Sequence, residues 1–175
     1  YPPASSVWHL PMGIAQLAPM LRGGGHDVIQ RYGHIIGLEY VLRRYGGAEM
    51  DTAIETVRDP KSDIHAWYKA RMAFERVSSS VPTPDKFIVE RNNIRYVSMD
   101  YDGSIAGVLR AVRNRESNMW YQYFVDVELP IVRDMQPDVY GISISDEKQL
   151  IPSCILASLV KDTSPSTLVV LGGNF

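Results

Sequence analysis

The chain has 175 residues, of which 45% are hydrophobic and 22% are charged, and its formal net charge is −2. These values are typical of a single globular domain, and they favour neither nucleic acid nor a membrane as a partner. We expect no membrane span and no signal peptide, and the single cysteine, Cys154, excludes an internal disulfide and indicates a cytoplasmic location.

The first part of the chain predicts helices around one strand. The predicted elements are a loop over residues 2–11, a helix over 12–22, a strand over 26–32 and a helix over 35–45. Pro19 should kink or shorten the first helix, and the three glycines from Gly23 should end it. In an open parallel sheet a first strand should precede the first helix, and none is visible here. We therefore expect the 175 residues to be one domain, 1–175, that is a piece of a longer protein.

Residues 48–133 are predicted to form a helical insertion with a small hairpin. The predicted helices cover residues 50–57, 63–77, 105–113 and 120–135, and two strand-like runs cover 86–90 and 94–99. Asn92 and Asn93 between the runs tolerate the backbone of a tight turn. A crossover between parallel strands needs only about a dozen residues, so a segment this long must fold into elements of its own.

The end of the chain predicts a strand, a helix and a second strand, over residues 138–145, 150–161 and 167–171. A parallel pair joined by a crossover helix is the simplest fold for this order. The predicted fold class is therefore α/β, a Rossmann-like (flavodoxin-like) parallel sheet with helices on both faces. Ligands of such sheets bind beyond the carboxyl ends of the strands. Those ends carry Ser143, Ser145, Gly172 and Gly173.

Several common kinds of chemistry have no motif in this sequence. The four histidines, His9, His26, His34 and His65, do not have the spacing of a metal site. No G-x-S-x-G nucleophile elbow and no phosphate-binding G-x-x-x-x-G-K-[ST] loop occurs, and Cys154 has the pattern of a packing residue.

Two blocks of sequence carry a resemblance to a known family. The opening block is YPP at residues 1–3, PMGIAQLAPMLR at 11–22 and GHDV at 25–28, and the closing block is GISIS at 141–145, LASLVK at 156–161 and LVVLGG at 168–173. Together they resemble the N-terminal cobalamin-binding domain of radical S-adenosylmethionine (SAM) enzymes. The middle of the chain is not explained by this resemblance.

The resemblance implies a cobalamin site at the strand ends. The residues it assigns to the cofactor are Ser5, Ser6 and Trp8 in the opening loop and Ser143, Ser145, Gly172, Gly173 and Asn174 at the strand ends. The strand-end residues would flank the nucleotide tail of cobalamin, and the loop would face the cobalt. The D-x-H-x-x-G motif, whose histidine binds cobalt in better-known cobalamin domains, is absent, as it commonly is in the radical-enzyme type. We expect Gly173→Trp to fill the tail site without unfolding the domain.

The resemblance also implies partners that this sequence lacks. The C-x-x-x-C-x-x-C cluster that holds the [4Fe–4S] centre is absent, so the iron–sulfur cluster and S-adenosylmethionine would belong to a downstream radical SAM domain. The parent protein would be a methyltransferase or a related modification enzyme, and this domain alone would not be catalytic. Two alternatives stay open. One is a degenerate domain that binds no cofactor and serves docking or substrate recognition, and the other is an unrelated flavodoxin-like binding module.

Overall fold

A computed structural model describes residues 2–3, 11–78, 81, 86–90, 93–97 and 102–173 of the chain. The fold combines helices and strands, and it contains a two-stranded parallel sheet. The first elements are the helices α1 (Met12–Gly23), α2 (Gly33–Gly46), α3 (Glu49–Arg58) and α4 (Ile64–Ser78). They agree with the helices predicted in this region, and Pro19 lies inside α1 without ending it.

The ends of these helices have local causes. Asp63 precedes α4, and its carboxylate accepts hydrogen bonds from the backbone N–H groups of His65 at 2.9 Å and Ala66 at 3.1 Å. Such side-chain caps satisfy N–H groups that have no partner within the helix. Gly47 follows α2 with a φ of 70°, a conformation that favours glycine.

The strand predicted over residues 26–32 is wrong, because the chain there has no regular structure. Its two ends bond to the neighbouring helices, since the His26 N–H donates to the Leu21 carbonyl and the Tyr32 carbonyl accepts from α2, and side chains supply further contacts. The Arg22 guanidinium donates to the Val28 carbonyl at 2.7 Å, and Arg31 binds Glu128 at 3.1 Å. The hydrophobic pattern of this segment indicated a strand, but a strand also needs a neighbour for its backbone groups.

The middle of the chain contains a hairpin and further helices. They are β1 (Lys86–Glu90), β2 (Asn93–Val97), α5 (Ile105–Arg113), α6 (Tyr121–Tyr123), a π-helical turn (Phe124–Glu128) and α7 (Leu129–Met135). β1 and β2 pair antiparallel where the sequence predicts a hairpin, with Glu90 opposite Asn93. The π-helical turn ends two residues before Pro130, whose ring would collide with the Asp126 carbonyl in a regular α-helix.

The parallel pair is formed by β3 (Val139–Ile144) and β4 (Leu168–Gly173), with α8 (Leu150–Thr163) between them in sequence. A 3₁₀ turn, Glu147–Gln149, leads into α8. The pairing begins with Leu168 opposite Val139, and just before it the Thr167 hydroxyl donates to the Pro137 carbonyl at 2.8 Å. This strand–helix–strand unit was predicted from the sequence.

The two faces of this sheet differ. α8 packs against both strands, and Ile142 and Ile144 of β3 are buried. Side chains alternate along a strand, and on the other face Val139, Leu168 and Val170 are 56%, 59% and 45% exposed. Helices were predicted on both faces, and within the described ranges the sheet has helix packing on one face only.

One hydrophobic core joins the helices to the parallel pair. Its largest fully buried apolar side chains are Val41, Leu42, Met50, Trp120, Tyr123, Phe124, Val132, Ile151 and Ile155. These residues come from α2, α3, the helical stretch before β3, and α8. The core therefore supports β3 and α8, which carry the candidate site.

Candidate ligand site at the strand ends

The parallel register brings the predicted site residues of the two strands together. Ser143 of β3 lies opposite Gly172 of β4, and Ile144 lies opposite Gly173. Ser145 follows β3 directly, so Ser143, Ser145, Gly172 and Gly173 share the carboxyl edge of the sheet. The other predicted site residues, Ser5, Ser6, Trp8 and Asn174, lie outside the described residues.

Two glycines leave open space on the exposed face of the sheet. A methyl group placed on Gly172 would meet no atom within 4 Å, and the same is true of Gly141 on β3. Gly141 lies opposite Val170, one alternation before the pair of Ser143 and Gly172. The exposed face thus offers a strip of accessible backbone, bordered by an apolar side chain and a serine, that a bulky ligand can approach closely.

Gly173 is required by the sheet itself. Its φ is 134°, and a methyl group on its Cα would lie 1.8 Å from the carbonyl oxygen of Ile144. Any side chain here must push β4 away from β3. The expectation that Gly173→Trp would leave the domain folded is therefore wrong, and Gly172 is the position at which a bulky residue can block the edge.

A buried glutamine joins the end of β3 to the start of the chain. Gln149 is fully buried, and its Oε1 accepts hydrogen bonds from the backbone N–H of Ser145 at 2.9 Å and the Ser145 hydroxyl at 3.3 Å. Its Nε2 donates to the carbonyl of Pro2 at 2.9 Å. Pro3 is buried beside Gly37 of α2. Pro2 therefore lies near the end of β3 through Gln149, although it is at the other end of the sequence.

The sequence reasoning missed Gln149. The available signal was an amide side chain directly before an apolar helix, although Gln149 does not cap α8 and bonds back to Ser145 instead. The contact itself spans 147 residues of sequence, so no local pattern could have predicted its partner.

A second buried polar cluster lies beneath β3. Arg31 binds the carboxylate of Glu128 through two nitrogens, Nε to Oε2 and Nη2 to Oε1, each at 3.1 Å. Tyr123 donates its hydroxyl to Oε1, and the Tyr140 hydroxyl lies 3.4 Å from Oε2. Burial is the main cause that raises the pKa of both tyrosines, so both hydroxyls remain protonated donors.

This cluster has the properties of a structural connection. The Glu128 side chain is only 3% exposed and is bound by Arg31 and Tyr123, so it is not available as a general base. Its partners come from the segment before α2, from α6 and from β3. It therefore fixes three parts of the chain relative to one another.

Other candidate chemistry is not supported in the described part of the chain. No three His, Cys, Asp or Glu side chains there are placed to hold a metal ion. Cys154 is half-buried, and burial raises the pKa of its thiol, which disfavours the nucleophilic thiolate. An open cavity of about 320 Å³ lies at the α3–α4 connection, lined by residues that include Val57, Ile64 and Trp67.

No protein-family model, curated protein or solved structure matches the chain. Among the residues that the structure describes, no helix has both the length and the apolar character needed to cross a membrane.

Proposed function

We propose that this chain is the cobalamin-binding domain of a radical SAM enzyme, and that its parallel strand pair belongs to a Rossmann-like (flavodoxin-like) sheet. The observation that carries the proposal is the pairing of Ser143 with Gly172 at the carboxyl edge of β3 and β4. Small and hydroxyl-bearing residues at this edge fit a ligand that approaches the backbone and accepts or donates hydrogen bonds there.

The residues of the edge fit a bulky, nucleotide-tailed group. The open space over Gly172 and Gly141 is the space that a side chain would fill at any other residue type. Ser143 is half-buried beside it. In this proposal Ser143 and Gly172 border the nucleotide tail of cobalamin. Ser145, which directly follows β3, borders the same site.

The chemistry belongs to the parent protein. When bound, cobalamin supplies a methyl group or assists a radical reaction, and S-adenosylmethionine and the [4Fe–4S] cluster would be held by a downstream domain. The part played by this chain is to bind and orient the corrinoid against that domain. We propose no catalytic residue within the 175 residues.

A steric block at Gly172 tests the proposal. In Gly172→Trp the indole enters the open space over the strand ends, and we expect hydroxocobalamin binding, followed by visible absorbance, to be lost. Gly23→Trp is the matched control, because Gly23 at the end of α1 also has no atom within 4 Å of an added methyl group. If wild type and Gly172→Trp bind the corrinoid equally, and circular dichroism shows that both are folded, the proposed placement of cobalamin at the strand ends is rejected.

A second function is favoured by the exposed apolar surface. Val139, Leu168 and Val170 are largely exposed on one face of the sheet. Parallel sheets are normally buried on both faces, so this surface suits a degenerate domain that docks against protein and binds no cofactor. A folded chain that binds no corrinoid in the same titration would favour this second function.

A further inference from the structure

Gln149 occupies an unusual position for an uncharged polar side chain. It is 0% exposed, and both ends of its amide are used, with Oε1 bound to Ser145 and Nε2 bound to the Pro2 carbonyl. Its own carbonyl accepts a hydrogen bond from the Ser153 hydroxyl one turn later in α8. A buried amide with all these partners holds a single orientation, because any rotation would leave buried polar atoms unsatisfied.

The two groups that Gln149 holds border the same edge of the sheet. Ser145 follows β3 at the proposed corrinoid site, and Pro2 is brought there from the other end of the sequence. The Ser145 N–H donates to Gln149, so this amide is directed into the protein and away from a ligand. Gln149 therefore determines the orientation of Ser145 and the position of Pro2 together.

We propose that Gln149 is a positioning residue for the corrinoid site, which it orders by binding Ser145 through its oxygen and Pro2 through its nitrogen. This inference rests on the proposed function. Gln149 itself is buried and does not reach a ligand. Its effect on binding passes through the two chain segments that it joins.

Replacing Gln149 by glutamate affects its contacts with Ser145 and Pro2 differently. An ionised carboxylate keeps an acceptor for the Ser145 N–H, but it cannot donate to the Pro2 carbonyl, and two acceptor oxygens then face each other. A protonated carboxyl group has both a donor and an acceptor, so it can replace the amide. Burial favours the protonated form and raises the pKa of such a carboxyl group. The Gln149→Glu protein should therefore have an ordered corrinoid site at low pH and a disordered one at high pH.

The experiment compares hydroxocobalamin affinity of wild type, Gln149→Glu and Gln149→Leu between roughly pH 5 and 8. At each pH the affinity is expressed relative to wild type. We expect Gln149→Glu to approach wild type at the acidic end and to bind about tenfold more weakly at the basic end, and Gln149→Leu to bind about tenfold more weakly throughout. Gln16→Glu is the matched control, because Gln16 is an exposed residue of α1.

The outcomes distinguish the positioning role of Gln149 from the proposed cobalamin binding. Wild type that binds no corrinoid rejects the proposed function, and the inference with it. Wild type that binds, together with Gln149→Glu whose relative affinity does not change with pH, overturns the positioning role of Gln149 alone. A pH-dependent loss of affinity that Gln16→Glu shows equally would also overturn it.

Discussion

Replacing Gly173 by alanine should destabilise the protein strongly, whereas the same change at Gly172 should not. The added methyl group at Gly173 would lie 1.8 Å from the Ile144 carbonyl oxygen, and the φ of 134° is one that alanine rarely adopts. Backbone strain of this kind costs about 1–3 kcal/mol by itself. The collision of the methyl group with the Ile144 carbonyl adds to this strain, because β4 must move away from β3. We therefore expect the free energy of unfolding to fall by about 3 kcal/mol or more in total.

Gly172 provides the matched comparison within the same strand. A methyl group there meets no atom within 4 Å, and alanine reduces the freedom of the unfolded chain. We expect Gly172→Ala to change stability by at most about 1 kcal/mol. Urea unfolding followed by circular dichroism measures both variants against wild type. A Gly173→Ala protein as stable as Gly172→Ala would refute the strand-end geometry on which the candidate site is built.

Two further predictions concern buried ionisable groups. Glu128→Gln removes the charge that Arg31 binds, and it should lower the free energy of unfolding, measured with urea, by about 2–3 kcal/mol. This is somewhat less than the loss for a fully buried ion pair, because the Arg31 side chain is 28% exposed. Tyr140→Phe, which removes a contact of 3.4 Å, should cost less than about 1 kcal/mol, and equal losses would contradict the importance of the ion pair. Burial lowers the pKa of His34 from 6.5 to about 4, so below pH 6.5 the unfolded chain binds a proton that the folded chain does not. Stability should therefore fall from about pH 6.5 to pH 4, by up to about 3 kcal/mol, and His34→Gln should flatten this slope relative to wild type in urea unfolding at several pH values. Parallel slopes in the two proteins would contradict the assignment to His34.

Helices and the last strand pair could be predicted from the sequence because their signals are local. The apolar spacing of α8, with Ile151, Ile155 and Leu159 buried, was visible in the sequence. So were the continuous apolar run of β4 and the two asparagines near the hairpin turn. These signals fix the type of each element, and the parallel pairing then follows from the length of the crossover.

Contacts between distant parts of the chain could not be predicted in the same way. Residues 26–32 have the composition of a strand, but their conformation depends on whether a neighbouring strand is present and on the Arg31–Glu128 pair, which spans 97 residues. The bridge from Gln149 to Pro2 is of the same kind. The two glycines at the end of β4 look equivalent in sequence, and only the structure separates Gly173, which the strand pair needs, from Gly172, which is open.

The most direct test of the central proposal is a visible-absorbance titration of the purified chain with hydroxocobalamin, followed by gel filtration to remove free cofactor. The proposed cobalamin site predicts that protein and corrinoid elute together, with a corrinoid spectrum shifted from that of the free cofactor. A folded protein that elutes without corrinoid would contradict the cobalamin assignment and leave the docking function of the exposed sheet face as the better proposal.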